Sequence, residues 1–359
     1  MSKRQAVDVH FTNKKIKSSL EDLANEILYE IFVYLNHFHI WKGFSDLNQR
    51  FDDFLISLKL TDRVHTSSSM SKSDFDYYHE KLISSNMNQI KSLHLANLFI
   101  VNEMFSPPQL INKYVQLECL ILDQINIRKL GAVLRLAQKL VNLRRLSVHL
   151  IDCADDLSRI FEYVLKLKNI QSFEINYQMP SSNFTSSAFV DLRSSSSIEI
   201  LTINGRFSCD SLDGLLSNCP RLRQLTIHEL VRGDYSNEDF TTCHLKQLES
   251  ISFTLNNINM HYLQMLIEKF FRHIQILQLT MSDYNIYRYT RIWERLITNF
   301  LPYLRVFDIR ISDLMCNLQM LQDKALEQFQ SSFWIENQWY FDWFLQPSKK
   351  IFYSTNPYR

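Results

Sequence analysis

The sequence predicts an α/β fold of repeated strand-then-helix units, preceded by a small all-α module. Three observations carry this. A six-position apolar pattern recurs nine times at near-constant spacing. Between recurrences the apolar period changes from two to about 3.6. Residues 20–60 carry helical periodicity without that pattern.

Residues 1–19 read as a flexible basic tail, with Lys3, Arg4, Lys14, Lys15 and Lys17 around no continuous apolar stretch, so no secretory signal is expected there. Lys3-Arg4 followed by Lys14-Lys15-Ile16-Lys17 resembles a bipartite nuclear-import signal, beside the plainer reading of a solvated tail. The chain is expected in the cytoplasm, with the nucleus open to it through that signal.

In residues 20–60, Leu23, Ile27, Leu28, Ile31, Phe32 and Leu35 fall on one helical face. Ile40, Trp41, Phe44, Leu47, Phe51, Phe54 and Leu55 follow as a second cluster. So small a unit carries more apolar surface than it can bury alone, which calls for a partner. His37-Phe38-His39 sets two imidazoles on one side of an extended segment, but the pair is read as an ordinary turn and no metal is expected.

Residues 61–88 read as a linker leading into the repeats, which occupy 89–311. The pattern φ-x-x-φ-x-φ begins at Ile90-Lys-Ser-Leu93-His-Leu95 and ends at Leu304-Arg-Val-Phe307-Asp-Ile309, with successive starts 24 to 30 residues apart. Helical faces lie between: Leu130, Val133, Leu134, Ala137 and Leu140; Leu157, Ile160, Phe161 and Val164; Leu212, Leu215, Leu216 and Cys219. Leu263, Leu266, Ile267 and Phe270 make another, then Trp293, Leu296, Ile297 and Phe300, with Pro220 and Pro302 as stops. One unit cannot bury its own leucines; only a stack can. Serine-rich 181–197 and the stretch 231–243 read as loops. Residues 312–359 are expected to cap the stack with aromatics such as Trp334, Trp339 and Phe352, against the alternative that some of these rings line a partner pocket.

Composition excludes several classes. Lys+Arg 39 against Asp+Glu 38 leaves a net charge of +1, without the surplus that phosphate-backbone binding needs, so no nucleic acid is expected. The five glycines form no phosphate-cradling loop. The greasy stretch Leu130–Leu143 is broken by Arg135 and Lys139, so no membrane span is expected. Six cysteines without a C-x-x-C pair read as free buried thiols in a reducing compartment. No G-x-S-x-G elbow, H-E-x-x-H helix or spaced acidic cluster occurs, so the chain reads as non-catalytic, with no cofactor.

The nine-fold pattern resembles the leucine-rich-repeat family, over roughly residues 89–311. The resemblance implies a horseshoe-shaped solenoid, a parallel concave sheet with outer helices. The family's Asn or Cys after each strand is irregular here: Asn97, Asn126, Asn204 and Asn256 fall near that place, and most units lack it. Leu20-Glu-Asp-Leu23-Ala-Asn-Glu26-Ile27-Leu28-Tyr-Glu-Ile31-Phe32-Val-Tyr34-Leu35, with Asn48, Arg50 and Phe51 beyond, resembles the F-box. It departs at Ala24, where that family has proline.

Together these resemble the F-box/leucine-rich-repeat class of receptors in SCF-type cullin-RING ubiquitin ligases. The resemblance implies that Leu23, Ile27, Leu28, Ile31, Phe32 and Leu35 bind a Skp-type adaptor, and through it the cullin. An unidentified protein substrate would then lie on the concave face. Strand alternation puts Arg145, Glu174, Thr202, Gln224, Thr226 and Gln278 on that face, with Asp308 at its end. The alternative is a plain interaction scaffold that recruits no ligase.

Overall fold

The computed structural model of the chain describes residues 20–35, 37–58, 62–153, 157–178, 196–232, 245–281, 290–313, 326–346 and 349–355. The expected basic tail and most of both expected loops lie outside the described residues. The chain divides into two compact units, Met1–Leu60 and Thr61–Arg359. No described helix is long and apolar enough to cross a membrane.

The first unit is helical, with α1 at Asn25–Phe32, α2 at His37–Phe44 and α3 at Gln49–Ser57. Aromatic packing holds it: the Phe32 ring lies 4.6 Å from Phe44 and 5.6 Å from Phe54, and Phe44 lies 5.4 Å from Phe51. Asn48 caps α3, its side chain accepting from the Phe51 amide at 3.1 Å. His37 and His39 belong to α2 and not to an extended segment. Residues two apart on a helix are rotated by ~200°, so positions 37 and 39 do not fall on one helical face.

The second unit is a mixed α/β structure around one twelve-stranded sheet. Its strands are β1 (Arg63–His65), β2 (Ser92–Leu95), β3 (Cys119–Ile125), β4 (Arg145–Cys153), β5 (Ser172–Gln178) and β6 (Ile200–Ser208). They continue as β7 (Gln224–Val231), β8 (Ser250–Asn256), β9 (Ile276–Met281), β10 (Val306–Asp313), β11 (Phe341–Gln346) and β12 (Lys349–Ser354). From β1 to β10 each strand pairs in parallel with its neighbour in sequence. Serial order is what equal spacing dictates, since each unit meets only the units before and after it.

Register turns the repeated pattern into columns. Leu93, Leu120, Leu146, Phe173, Leu201, Leu225, Ile251, Leu277 and Phe307 are matched across the sheet, and all are buried. Two residues on, the column from Leu95 to Ile309 is buried as well. Helices cover this face. They include α4 (Lys72–Tyr78), α5 (Ser84–Asn86), α6 (Leu98–Met104), α7 (Ile127–Ala137), α8 (Ser158–Leu165), α9 (Leu212–Ser217), α10 (Met260–Phe270) and α11 (Thr290–Phe300). Phe161 of α8 meets Phe173 of β5 at 5.8 Å, and Trp293 of α11 meets Phe307 of β10 at 5.1 Å.

The sheet starts earlier and ends later than the pattern does. β1 lies in the stretch expected as a linker, with Val64 in register with Leu93. Where β2 has Leu95, the first strand is followed by Thr66, fully buried yet satisfied: its hydroxyl donates to the His94 carbonyl at 3.1 Å and accepts from the Ala96 amide at 3.0 Å. A buried threonine with both bonds made substitutes for leucine, and an apolar pattern misses it. At the far end β12 pairs antiparallel with β10, and β11 with β12.

Candidate functional site

Two surfaces present chemistry, one in each unit. In the first, the six residues expected on one helical face divide between two. Leu28 and Phe32 are buried, while Ile27 (49%), Ile31 (36%) and Leu35 (41%) are exposed, and Leu23 is intermediate. Ile27 and Ile31 are four apart on α1 and form one stripe, with Leu35 exposed in the turn just beyond the helix; Leu28 and Phe32 form the adjacent column that the small core takes. Tyr34, at 85% exposure, flanks the outer stripe. The start of α1 is held from α3. The Arg50 guanidinium donates to the backbone carbonyls of Glu21 and Leu23 and, at 2.8 Å, to Asn25 Oδ1. Asn48 Nδ2 donates to Glu21 Oε1 at 3.2 Å. Ala24 has φ −64° and ψ 152°, a φ that proline also takes. Arg50 and Asn48 therefore fix the turn where proline is absent.

The second surface is the sheet face opposite the buried columns. Glu174, Thr202, Thr226 and Gln278 lie in one in-register row with Ser252. Arg145 and Gln224 lie in the row before it, with Ser172, Ile200 and Ser250. Asp308 does not join the open face. It is buried, its Oδ1 accepting from the Ser354 hydroxyl of β12 at 2.7 Å.

Sequence reasoning missed a further row that cross-links this face. Glu174 accepts from Asn204 Nδ2 at 3.0 Å, from Ser147 Oγ at 3.3 Å and from Asn176 Nδ2 at 3.4 Å. Glu229 takes Arg206 Nε at 3.0 Å and Asn256 Nδ2 at 2.7 Å. Asn204 and Asn256 thus serve carboxylates, whereas Asn97 and Asn126 cap α6 and α7. A regular use of asparagine lies ahead of the strands instead: Asn142 Nδ2 donates to the Val115 carbonyl and Asn169 Nδ2 to the Val141 carbonyl, each one unit back. The signal was readable as Asn142-Leu143 and Asn169-Ile170.

At the β1 end of the same face, four side chains from four successive strands meet. His65 and His94 are in register, with their Nδ1 atoms 3.0 Å apart. His94 Nε2 bonds Asp123 Oδ2, and His149 Nδ1 lies 2.7 Å from Asp123 Oδ1. That last approach is close enough for an ion pair but lacks hydrogen-bond alignment, so Oδ1 is a buried oxygen without a hydrogen bond. A register shift in β3, with Gln124 at φ 54°, brings Asp123 beside both rings. The four line a pocket of about 350 Å³ together with Thr66, Ser67 and Ser68. Cys209 and Cys219 are buried and in no disulfide, and burial pushes the Cys209 pKa up, which makes that thiol inert by comparison.

The chain matches no family model and no curated protein.

Proposed function

We propose that this chain is a substrate-recognition subunit of an SCF-type cullin-RING ubiquitin ligase. In this reading the helical unit binds a Skp-type adaptor through Ile27, Ile31 and Leu35, and the open sheet face holds a protein substrate. The observation that carries it is the outer stripe of α1, whose aliphatic side chains stay exposed on a unit with its own packed aromatic core. A contiguous apolar patch of this kind marks a protein-binding surface. The spelling of residues 20–51 supports an F-box-type contact, and the serial parallel sheet with a polar, hydrogen-bonded open face supports a leucine-rich-repeat receptor.

The test is co-purification of the full chain from cells containing the adaptor and cullin, beside the variant Ile27→Asp/Ile31→Asp. Both positions face outward, so the variant keeps its core; Phe32→Asp would put a charge at a 4% exposed position and unfold the module. Adaptor and cullin should be recovered with the parent and lost by more than tenfold with the variant. Equal recovery, or none with either, sinks the ligase reading and leaves an interaction scaffold.

A further inference from the structure

We propose that His65 and His94 form an open site for a borderline divalent cation of the zinc class, oriented by Asp123 and facing the pocket at the β1 end of the sheet. This is independent of any ligase role.

The two Nδ1 atoms lie 3.0 Å apart. Two N–H groups cannot point at each other at that distance, so at least one of the two nitrogens presents a lone pair. A metal ion bound at ~2.0–2.1 Å from each imidazole nitrogen bridges nitrogens at this spacing with an N–metal–N angle of roughly 91–97°. Binding then replaces the contact between the two rings: two metal–nitrogen bonds form through the Nδ1 lone pairs, and each neutral imidazole keeps its one proton on Nε2, that of His65 moving there from Nδ1.

The second observation is Asp123. Its Oδ2 bonds His94 Nε2, the nitrogen that would not ligate. A carboxylate on the far nitrogen of a metal-ligating imidazole fixes the tautomer and raises the basicity of the near one. The neighbouring oxygen Oδ1 is buried and accepts no hydrogen bond. The third observation is space. The pocket lies against the pair and is lined by Thr66, Ser67 and Ser68, so water could complete the coordination. Among the described residues no three His, Cys, Asp or Glu side chains are arranged as a metal site, so the clamp has two protein nitrogens and its other positions are open. Imidazole ligands select zinc, copper or nickel over magnesium or calcium.

Calorimetric titration of the full, chelator-treated chain with zinc chloride tests this. The expected result is saturable binding of one ion per chain. His65→Gln and His94→Gln should each weaken it at least tenfold, and Asp123→Asn should weaken it by about ten- to a hundredfold. His149→Gln should leave it within threefold, because His149 meets the cluster at Asp123 Oδ1 and not at either ligating nitrogen. Zinc should raise the melting temperature of the parent and not that of His65→Gln/His94→Gln, whose fold is checked by its own melting curve. No saturable binding by the parent, or binding unchanged in the double variant, overturns the proposal and leaves the four side chains as a hydrogen-bonded relay.

Discussion

At the scale of single residues, His79 shows how burial becomes a pH dependence. It opens the π-helical turn His79–Ile83 between α4 and α5, and its Nε2 is buried without a hydrogen bond. Burial lowers its pKa from the ordinary histidine value, against smaller opposing pulls from Asp76 and Glu103. The sign follows from comparing folded and unfolded chains. The unfolded chain takes up the proton near pH 6.5 and the folded chain only at lower pH, so unfolding binds a proton in the interval between. Stability from this residue is therefore full above that interval and is lost as pH falls through it. Acidification from pH 7.5 to 5.5 should lower the melting temperature of the parent more than that of His79→Gln, which cannot titrate. Equal drops in the two proteins would show that His79 is not a source of the acid sensitivity.

At the scale of elements, β6 carries a register shift against β7 between Ile203 and Arg206, and Gly205 sits in it. A Cβ at Gly205 would come within 2.7 Å of the Tyr177 ring. That ring cannot swing aside easily, because Tyr177 is buried and its hydroxyl donates to the Arg206 carbonyl at 2.6 Å. Gly205→Ala should destabilise the chain by about 1–3 kcal/mol, the usual range for overpacking, read from the urea unfolding midpoint. Combining it with Tyr177→Leu should recover most of that loss. Strictly additive effects of the two changes would mean the clash is not their source. The same elements show what a sequence can disclose. Columns such as Leu93 to Phe307 were legible because an apolar strand position repeated every 24 to 30 residues needs no knowledge of neighbours. β1 was not, because Thr66 stands in its column through two hydrogen bonds that only the folded chain provides. The division of α1 between Leu28 and Phe32 inside and Ile27 and Ile31 outside was hidden for a related reason. All four are apolar, and only the small aromatic core decides which pair it takes. The His65–Asp123 cluster was hidden too, since the four side chains are brought together by strand register and a bulge, and no short motif spells them.

At the scale of the whole molecule, a serial parallel sheet must end somewhere, and an open edge is a template for another chain. The first edge, β1, is only three residues long. The other would be β10, eight residues with Phe307, Ile309 and Ile311 buried, were it not covered by β12, which moves the edge outward to the six-residue β11. Phe352 is the centre of that closure. It lies in register with Ile311, is fully buried, and packs against Phe341 at 5.5 Å with nearly parallel rings and against Phe329 at 5.0 Å. Trp334 adds to the same cluster, 5.3 Å from Phe341 and 4.9 Å from Phe329. A charge at Phe352 has no partner there, so Phe352→Asp should detach the hairpin rather than bury the carboxylate. The expected outcome combines a lower melting temperature, from a lost aromatic contact of about 3–5 kcal/mol, with concentration-dependent association through the bared β10 edge. Both can be read on one sample, the first by thermal unfolding and the second by light scattering after size-exclusion chromatography. Destabilisation without association would mean that something other than β12 shields the edge. A variant that stayed monomeric and melted with the parent would show that the hairpin does not protect the β10 edge at all.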